Sequence, residues 1–240
     1  MTRLAMSWCE VPDAVTERVI ARCGVVHPHA DLDPRHTALI VVDLQNAFMD
    51  DAVGHAVCPL ARDIVPNVNR LAAAVRRTGG RVFWIKNTLD ENNTSAWSEY
   101  FAMLTPAKRE WALANMAPGT RGHEIYPTLK VEPQDEIVNK FRFSAFVQGA
   151  SDLPERLRAQ GYDTVLITGT VTNVCCESSA RDAMMLNFKT IMVSDANAAR
   201  TDEEHNATLA SFYSIFGDVM STDFLIERLE FHATVPRAAA

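Results

Sequence analysis

The apolar positions of this chain gather into short continuous runs separated by helical spacing. Residues 37–43, TALIVVD, form the first such run. A run without alternation suits a central strand of a parallel sheet covered on both faces. RVFWIK at 81–86 and VLIT at 165–168 read the same way, and EIVNK at 136–140 and TIMVSD at 190–195 are shorter strands. Residues 219–221 add a candidate edge strand. Between these runs the spacing changes. Ile64, Val68, Leu71, Ala72 and Val75 recur at three- and four-residue steps, with Arg70, Arg76 and Arg77 on the other face. That pattern predicts a helix over 64–78, stopped by Gly79 and Gly80. Further helices are expected over 152–160, 176–186 and 201–216, the last opened by the capping-box pair Thr201 and Glu204. Strands alternating with helices predict one α/β domain, a three-layer α/β/α sandwich around a mostly parallel sheet.

Two regions stand outside this alternation. Residues 1–36 are polar and mixed, with a short helix over 14–22, and read as an N-terminal extension packed on the domain or on a neighbouring subunit. The domain proper then spans 37–232, with a frayed tail over 233–240. Residues 89–121 form a long connection rich in Asn, Ser, Trp and Met, with a helix near 107–114. Connections of this length are usually lids or oligomer contacts. Trp97, Tyr100, Phe101, Trp111 and Met116 are candidate pocket lining, in competition with ordinary packing.

Composition narrows the class. The 240 residues are 48% hydrophobic and 22% charged, as in an ordinary globular protein. A net charge of −7 argues against a nucleic-acid partner. No stretch approaches the ~20 apolar residues of a membrane span, and the N-terminus lacks the apolar core of a signal peptide. Neither membrane nor nucleic acid is therefore expected as a partner. The five cysteines show no CxxC or Cys/His metal spacing, which points to reduced thiols and a cytoplasmic protein.

Three reactive groups fall at or near predicted element ends: Asp43, Lys140 and Cys175. Parallel strands bring their carboxyl ends to one edge of the sheet, where ligands bind. A helix start and a cation both favour thiolate over thiol, a carboxylate can take the thiol proton, and free backbone N–H groups can hold an oxyanion. The bland alternatives are a helix cap for Asp43 and a buried small hydrophobe for Cys175.

TALIVVDLQNAF, KFRFSAF and GTVTNVCCESSARDA together resemble the isochorismatase-like cysteine hydrolase superfamily, over roughly residues 37–219. That group includes N-carbamoylsarcosine amidase, ureidoacrylate amidohydrolase, maleamate amidohydrolase and nicotinamidase. The resemblance implies an Asp43–Lys140–Cys175 triad, with the thiol directly after TNV so that Cys176 is packing. It also implies a non-proline cis peptide at Thr170–Val171, an oxyanion hole from the backbone N–H groups of Val171 and Cys175, and a homo-oligomer. The implied reaction is hydrolysis of a small-molecule amide, carbamoyl or ureido compound through a thioester. Nicotinamidases carry Asp-x-His and a further His as metal ligands after the second strand. Here that stretch reads IKNTLDENNTSAW, without histidine, so no metal and no other cofactor is expected. The isochorismate-cleaving members lack the nucleophilic cysteine. Gln45, Asn87, Trp97 and Arg142 are further candidates for contact with substrate, along with Asn92 and Asn93. The alternatives are a hydrolase of a cyclic lactam or imide, and a non-catalytic binding protein of the same fold.

Overall fold

The computed structural model describes residues 11–54 and 56–234. The expected extension and tail lie partly outside them, at residues 1–10 and 235–240. Six strands form one all-parallel sheet: β1 (Thr37–Val42), β2 (Arg81–Asn87), β3 (Glu136–Lys140), β4 (Thr164–Thr170), β5 (Lys189–Ala198) and β6 (Asp218–Met220). Their order is β3-β2-β1-β4-β5-β6. The chain builds outward from β1 on one side, then returns to the other side of β1 with β4. The direction of winding thus reverses between β1 and β4, and a crevice opens at their carboxyl ends.

Both faces of β1 are buried at every position, which is why its sequence is continuously apolar. Successive side chains point to opposite faces. Leu39 and Val41 pack on one side with Val68, Leu71 and Val75 of α3 (Val65–Arg77) and with Leu225 and Leu229 of α10 (Thr222–Thr234). Ala38, Ile40 and Val42 pack on the other, with α1 (Asp13–Cys23), α7 (Leu153–Ala159), α8 (Glu177–Met185) and α9 (Asp202–Ile215). The three expected layers are present. The described part of the N-terminal segment belongs to this core: Val19 of α1 and Leu32 are fully buried, on opposite faces of the sheet.

Three local differences from the sequence reading have physical causes. Residues 222–234 form a full helix, unforeseen because Phe224, Leu225, Ile226, Leu229 and Phe231 leave no clean polar face. The segment 89–121 holds three helices in place of one: α4 (Asn93–Ala96), α5 (Ser98–Ala102) and α6 (Pro106–Met116), the first two only about a turn long. β5 runs on to Ala198 because the β4–β5 register slips between Ile167 and Gly169. The Asn197 amide bridges that slip, donating to the carbonyls of Ile167 and Val193 at 2.8 Å each.

Gly169 fixes how closely β4 approaches β1 just before the crevice. It has φ +121, and a Cβ there would lie 2.0 Å from the Val42 carbonyl oxygen and 2.7 Å from the Val42 nitrogen. Gly169→Ala is expected to lower the unfolding free energy by about 3 kcal/mol or more, the range for strained positions combined with overpacking. Urea denaturation of the purified variant checks this; a change under about 1 kcal/mol would show that the two strands can part without cost.

Candidate active site

The strand order sets the residues of the crevice side by side. Asn87 at the end of β2 is in register with Lys140 at the end of β3, and Val42 is in register with both Ile85 and Gly169. Asp43 follows β1 directly. Its N–H continues the ladder to the Ile85 carbonyl at 3.0 Å, and its φ of +55 turns the chain away from the sheet. Its carboxylate is thereby left at the strand end, facing Lys140.

The two charges form an ion pair, Lys140 Nζ to Asp43 Oδ2 at 2.8 Å, with both side chains fully buried. Nζ also donates to the Arg142 carbonyl at 3.0 Å, so the loop after β3 supplies a second acceptor. Burial alone would pull the Lys140 ammonium down, but the Asp43 carboxylate, aided by Cys175, outweighs it and the pKa lies above the ordinary lysine value. Burial pushes the Asp43 carboxyl up, with Lys140 offsetting only part of the shift. Lys140 therefore stays charged while Asp43 keeps a higher proton affinity than a surface aspartate.

Cys175 enters from the other side of the switch point. After β4 the chain makes a π-helical turn, Thr172–Cys176, before α8 begins. The peptide bond Thr170–Val171 is cis. The turn brings the Cys175 thiol up to the pair, where the Asp43 carboxylate and the Lys140 ammonium both act on it electrostatically. Its neighbour Cys176 turns the opposite way, is fully buried in the core and approaches the Thr168 carbonyl at 4.0 Å. The sequence favoured a thiolate at Cys175, on the strength of a helix start and a cation. The structure reverses that: burial pushes the thiol well above its ordinary value, Lys140 opposes this and Asp43 adds to it. The thiol sits in a buried π-turn rather than at an open helix end, so desolvation of the anion wins.

The thiol lies at the wall of a cleft of about 290 Å³, lined on its apolar side by Phe48, Tyr100, Phe143 and Val171 and on its polar side by Asn87, Asn173, Arg200 and Glu204. Of the four candidate substrate contacts, Asn87 lines this cleft and the other three do not. Gln45 is fully buried and spends its amide on the backbone of Asn87 and His123. Trp97 stacks behind Tyr100 at 4.3 Å and meets Phe143 edge-on at 4.7 Å, so it supports the wall without forming it. Arg142 lies over the Trp97 ring and donates to the carbonyls of Phe141 and Ala96, clamping α4 to the loop after β3. Phe101 and Met116 are core, and Trp111 is exposed with its indole N–H on the Gly54 carbonyl. Asn92 and Asn93 open α4 and do not line the cleft. Among the described residues, no group of three or more His, Cys, Asp or Glu side chains is placed to hold a metal ion, and no helix is long and apolar enough to cross a membrane.

The family model for the isochorismatase domain matches residues 37–224. The chain belongs to the isochorismatase-like cysteine hydrolases. It is 32% identical over 206 residues to the ureidoacrylate amidohydrolase RutB of Pseudomonas savastanoi pv. phaseolicola, covering 80% of this chain and 83% of that protein. With the RutB of Variovorax paradoxus the identity is 34% over 205 residues, 78% and 79% of the two chains. Among solved structures, a cysteine hydrolase from Pseudomonas syringae pv. phaseolicola superposes with a TM-score of 0.75 at 29% identity, covering 84% of this chain and 96% of that one. The N-carbamoylsarcosine amidase of Thermoplasma acidophilum gives 0.62 at 27%, covering 78% and 96%.

Against that family background, Phe143, Arg200 and Glu204 are among the cleft residues that sequence reasoning missed, beside Phe48, Ala56, Asn173 and Val174. Phe143 lies inside the KFRFSAF stretch, but nothing in the spacing distinguished its half-buried, cleft-lining ring from the buried Phe146. Arg200 and Glu204 flank the start of α9, two elements from Cys175, and only the register of β5 against β4 brings them to the crevice.

Removing one partner of the buried pair leaves the other charge uncompensated. Lys140→Met is expected to cost about 3–5 kcal/mol of folding stability at pH 7, whereas Asp43→Asn/Lys140→Met should recover most of it. Urea unfolding of wild type, single and double variants measures this. Equal losses in the single and double variants would mean the two charges do not depend on each other.

Proposed function

We propose that the protein is a cysteine amidohydrolase that cleaves the C–N bond of a small, carboxylate-bearing amide, carbamoyl or ureido compound, without a catalytic metal. The observation that carries this reading is the Cys175 thiol held between Asp43 and Lys140 at the wall of the cleft. A thiol whose pKa is raised needs a base at the moment of attack, and the buried Asp43 carboxylate is in contact with it.

Asp43 takes the Cys175 proton as sulfur attacks the carbonyl carbon, and the C=O becomes an oxyanion. The backbone N–H groups of Val171 and Cys175, at the two sides of the nucleophile's turn, are the donors assigned to it. As the C–N bond breaks, Asp43 returns the proton to the leaving nitrogen, releasing ammonia or an amine and leaving a thioester on Cys175. A water then gives a proton to Asp43 while its oxygen attacks the thioester. Collapse expels the Cys175 sulfur, which recovers the proton from Asp43. Lys140 stays protonated throughout and keeps Asp43 oriented.

The substrate class follows from the cleft. About 290 Å³ admits a molecule of modest size. Arg200 lines it, and no described carboxylate pairs with its guanidinium. A free cation facing a partly apolar cleft is suited to a substrate carboxylate. The relatives named ureidoacrylate amidohydrolase and N-carbamoylsarcosine amidase support the same C–N chemistry.

Cys175→Ala is expected to lower turnover about 10⁴-fold or more, while Cys176→Ala keeps most of it. An ammonia-release assay over maleamate-type, carbamoyl and ureido acids reads both, and a dead Cys176→Ala beside an active Cys175→Ala would reverse the assignment. In the same assay Arg200→Leu should raise KM for carboxylate substrates at least tenfold with a smaller change in kcat; an unchanged KM removes Arg200 from the site.

The pH profile has a defined sign. Protonating Asp43 removes the base, and its pKa lies above the ordinary carboxylate value of 3.8. The acid limb of kcat/KM should therefore sit at higher pH than a surface aspartate would give. Because the Cys175 pKa is raised above 9.0, no loss is expected as pH rises through 9. A profile that falls between pH 7 and 9 would contradict this proton placement.

A further inference from the structure

Asn87 lines the cleft and closes β2 in register with Lys140, in the strand-end row that continues through Asp43. It is 6% exposed, yet its side-chain oxygen accepts no hydrogen bond. Leaving a buried polar oxygen unsatisfied costs about 1–3 kcal/mol, and such orphans are few in folded proteins. In the wall of a reactive cleft, this orphan is accounted for by a donor that arrives with the ligand.

The residue is also held in advance. Gln45, itself fully buried, accepts the Asn87 N–H on Oε1 at 2.7 Å and donates from Nε2 to the Asn87 carbonyl at 3.2 Å and the His123 carbonyl at 3.1 Å. One amide thus grips both backbone polar groups of Asn87. The His123 end is anchored in turn, because the His123 ring hydrogen-bonds the Thr88 hydroxyl at 2.8 Å. Nothing in this arrangement uses the Asn87 side-chain oxygen. The protein fixes the backbone beneath that carboxamide and leaves its acceptor unspent in the cleft that Cys175 also lines.

From this we infer that Asn87 is a specificity-determining residue: its Oδ1 accepts the N–H of the substrate's leaving nitrogen, so that the site selects C–N over C–O bonds. The inference rests on the amidohydrolase reading above and gives that site its leaving-group preference. An amide nitrogen brings a hydrogen to Oδ1. The leaving oxygen of an isosteric ester brings only lone pairs, so two acceptors face each other and both lose water without a hydrogen bond. Sites built around a substrate donor reject the analogue that lacks it for this reason. The selection matters because an ester is intrinsically the easier acyl donor to a thiolate. Without a nitrogen-specific contact, a Cys–Asp–Lys site would favour the ester.

Succinamate and monomethyl succinate test this, since they differ only in NH₂ against OCH₃. The measurements are kcat/KM for each on wild type and Asn87→Ala, and the dissociation constant of each for Cys175→Ala and Cys175→Ala/Asn87→Ala by calorimetry. The expected result is a fall of tenfold or more in kcat/KM for the amide, with the ester unchanged within threefold, so that the amide-to-ester ratio drops at least tenfold. Amide binding to the Cys175→Ala protein should weaken about tenfold on loss of Asn87, and ester binding should not. A parallel fall for both compounds, or no change in either, overturns the assignment, because a merely structural role moves them together. Wild type that releases ammonia from neither succinamate nor any carbamoyl or ureido acid defeats the amidohydrolase reading by itself. The binding pair then decides for Asn87: a lost preference for the amide upholds the N–H acceptor, and an unaltered preference or no binding of either compound overturns it.

Discussion

Two opposite charges with no access to water, 2.8 Å apart, are the constraint under which the rest of this molecule is arranged. Burying either alone costs several kcal/mol, so the pair survives only where three chain segments meet with little tolerance. β1 must end at Asp43 in a left-handed conformation. β3 must deliver a fully buried lysine although it is an edge strand whose Ile137 and Asn139 face solvent. The loop after β3 must come back so that the Arg142 carbonyl accepts the second ammonium hydrogen. An edge strand of five residues with one buried charge is poor material for a sheet by composition, and the ion pair gives it a fixed register.

The same low-dielectric setting governs the thiol. Lys140 pulls the Cys175 thiol down, burial and the Asp43 carboxylate push it up, and burial wins. The resting site is a neutral thiol beside a balanced ion pair, with no net charge among the three groups. Proton transfer to Asp43 would move charge within the cluster without creating any, so the surrounding apolar packing does not have to solvate a new ion. Phe48, Tyr100 and Phe143 can therefore crowd the cleft without leaving an unbalanced charge against their rings.

Much of this was legible in the chain. Continuous apolar runs mark strands buried on both faces, and β1 and β4 are of that kind, so their ends locate Asp43 and the approach to Cys175. Lys140 was visible as a charge closing a short strand, and the motifs around all three residues resemble one family. The walls were less legible. Trp97 and Tyr100 lie three residues apart, with the same aromatic character, and only the turn between α4 and α5 puts one in the cleft and the other behind it. Gln45 is polar and next to the site, which made it a candidate contact, but its amide substitutes for a missing backbone partner where β1 and β2 part. Helix α10 escaped because its apolar residues run around most of its circumference; it packs on α3 and on the N-terminal segment, partners that periodicity does not reveal.

The split between strand ends and helices has a bearing on how such a site diversifies. Asp43, Asn87 and Lys140 sit on the ends of the central sheet or directly after them, locked by ladder bonds. Tyr100 comes from α5, a five-residue helix in the insert between β2 and β3, which Arg142 ties to the loop after β3 and which Phe101 and Met116 anchor in the core. Residue changes in that segment would reshape the chamber and leave the charge cluster's footing untouched. A lineage built this way can exchange one substrate for another by small steps in a peripheral insert, while the Asp43–Lys140–Cys175 cluster is inherited whole.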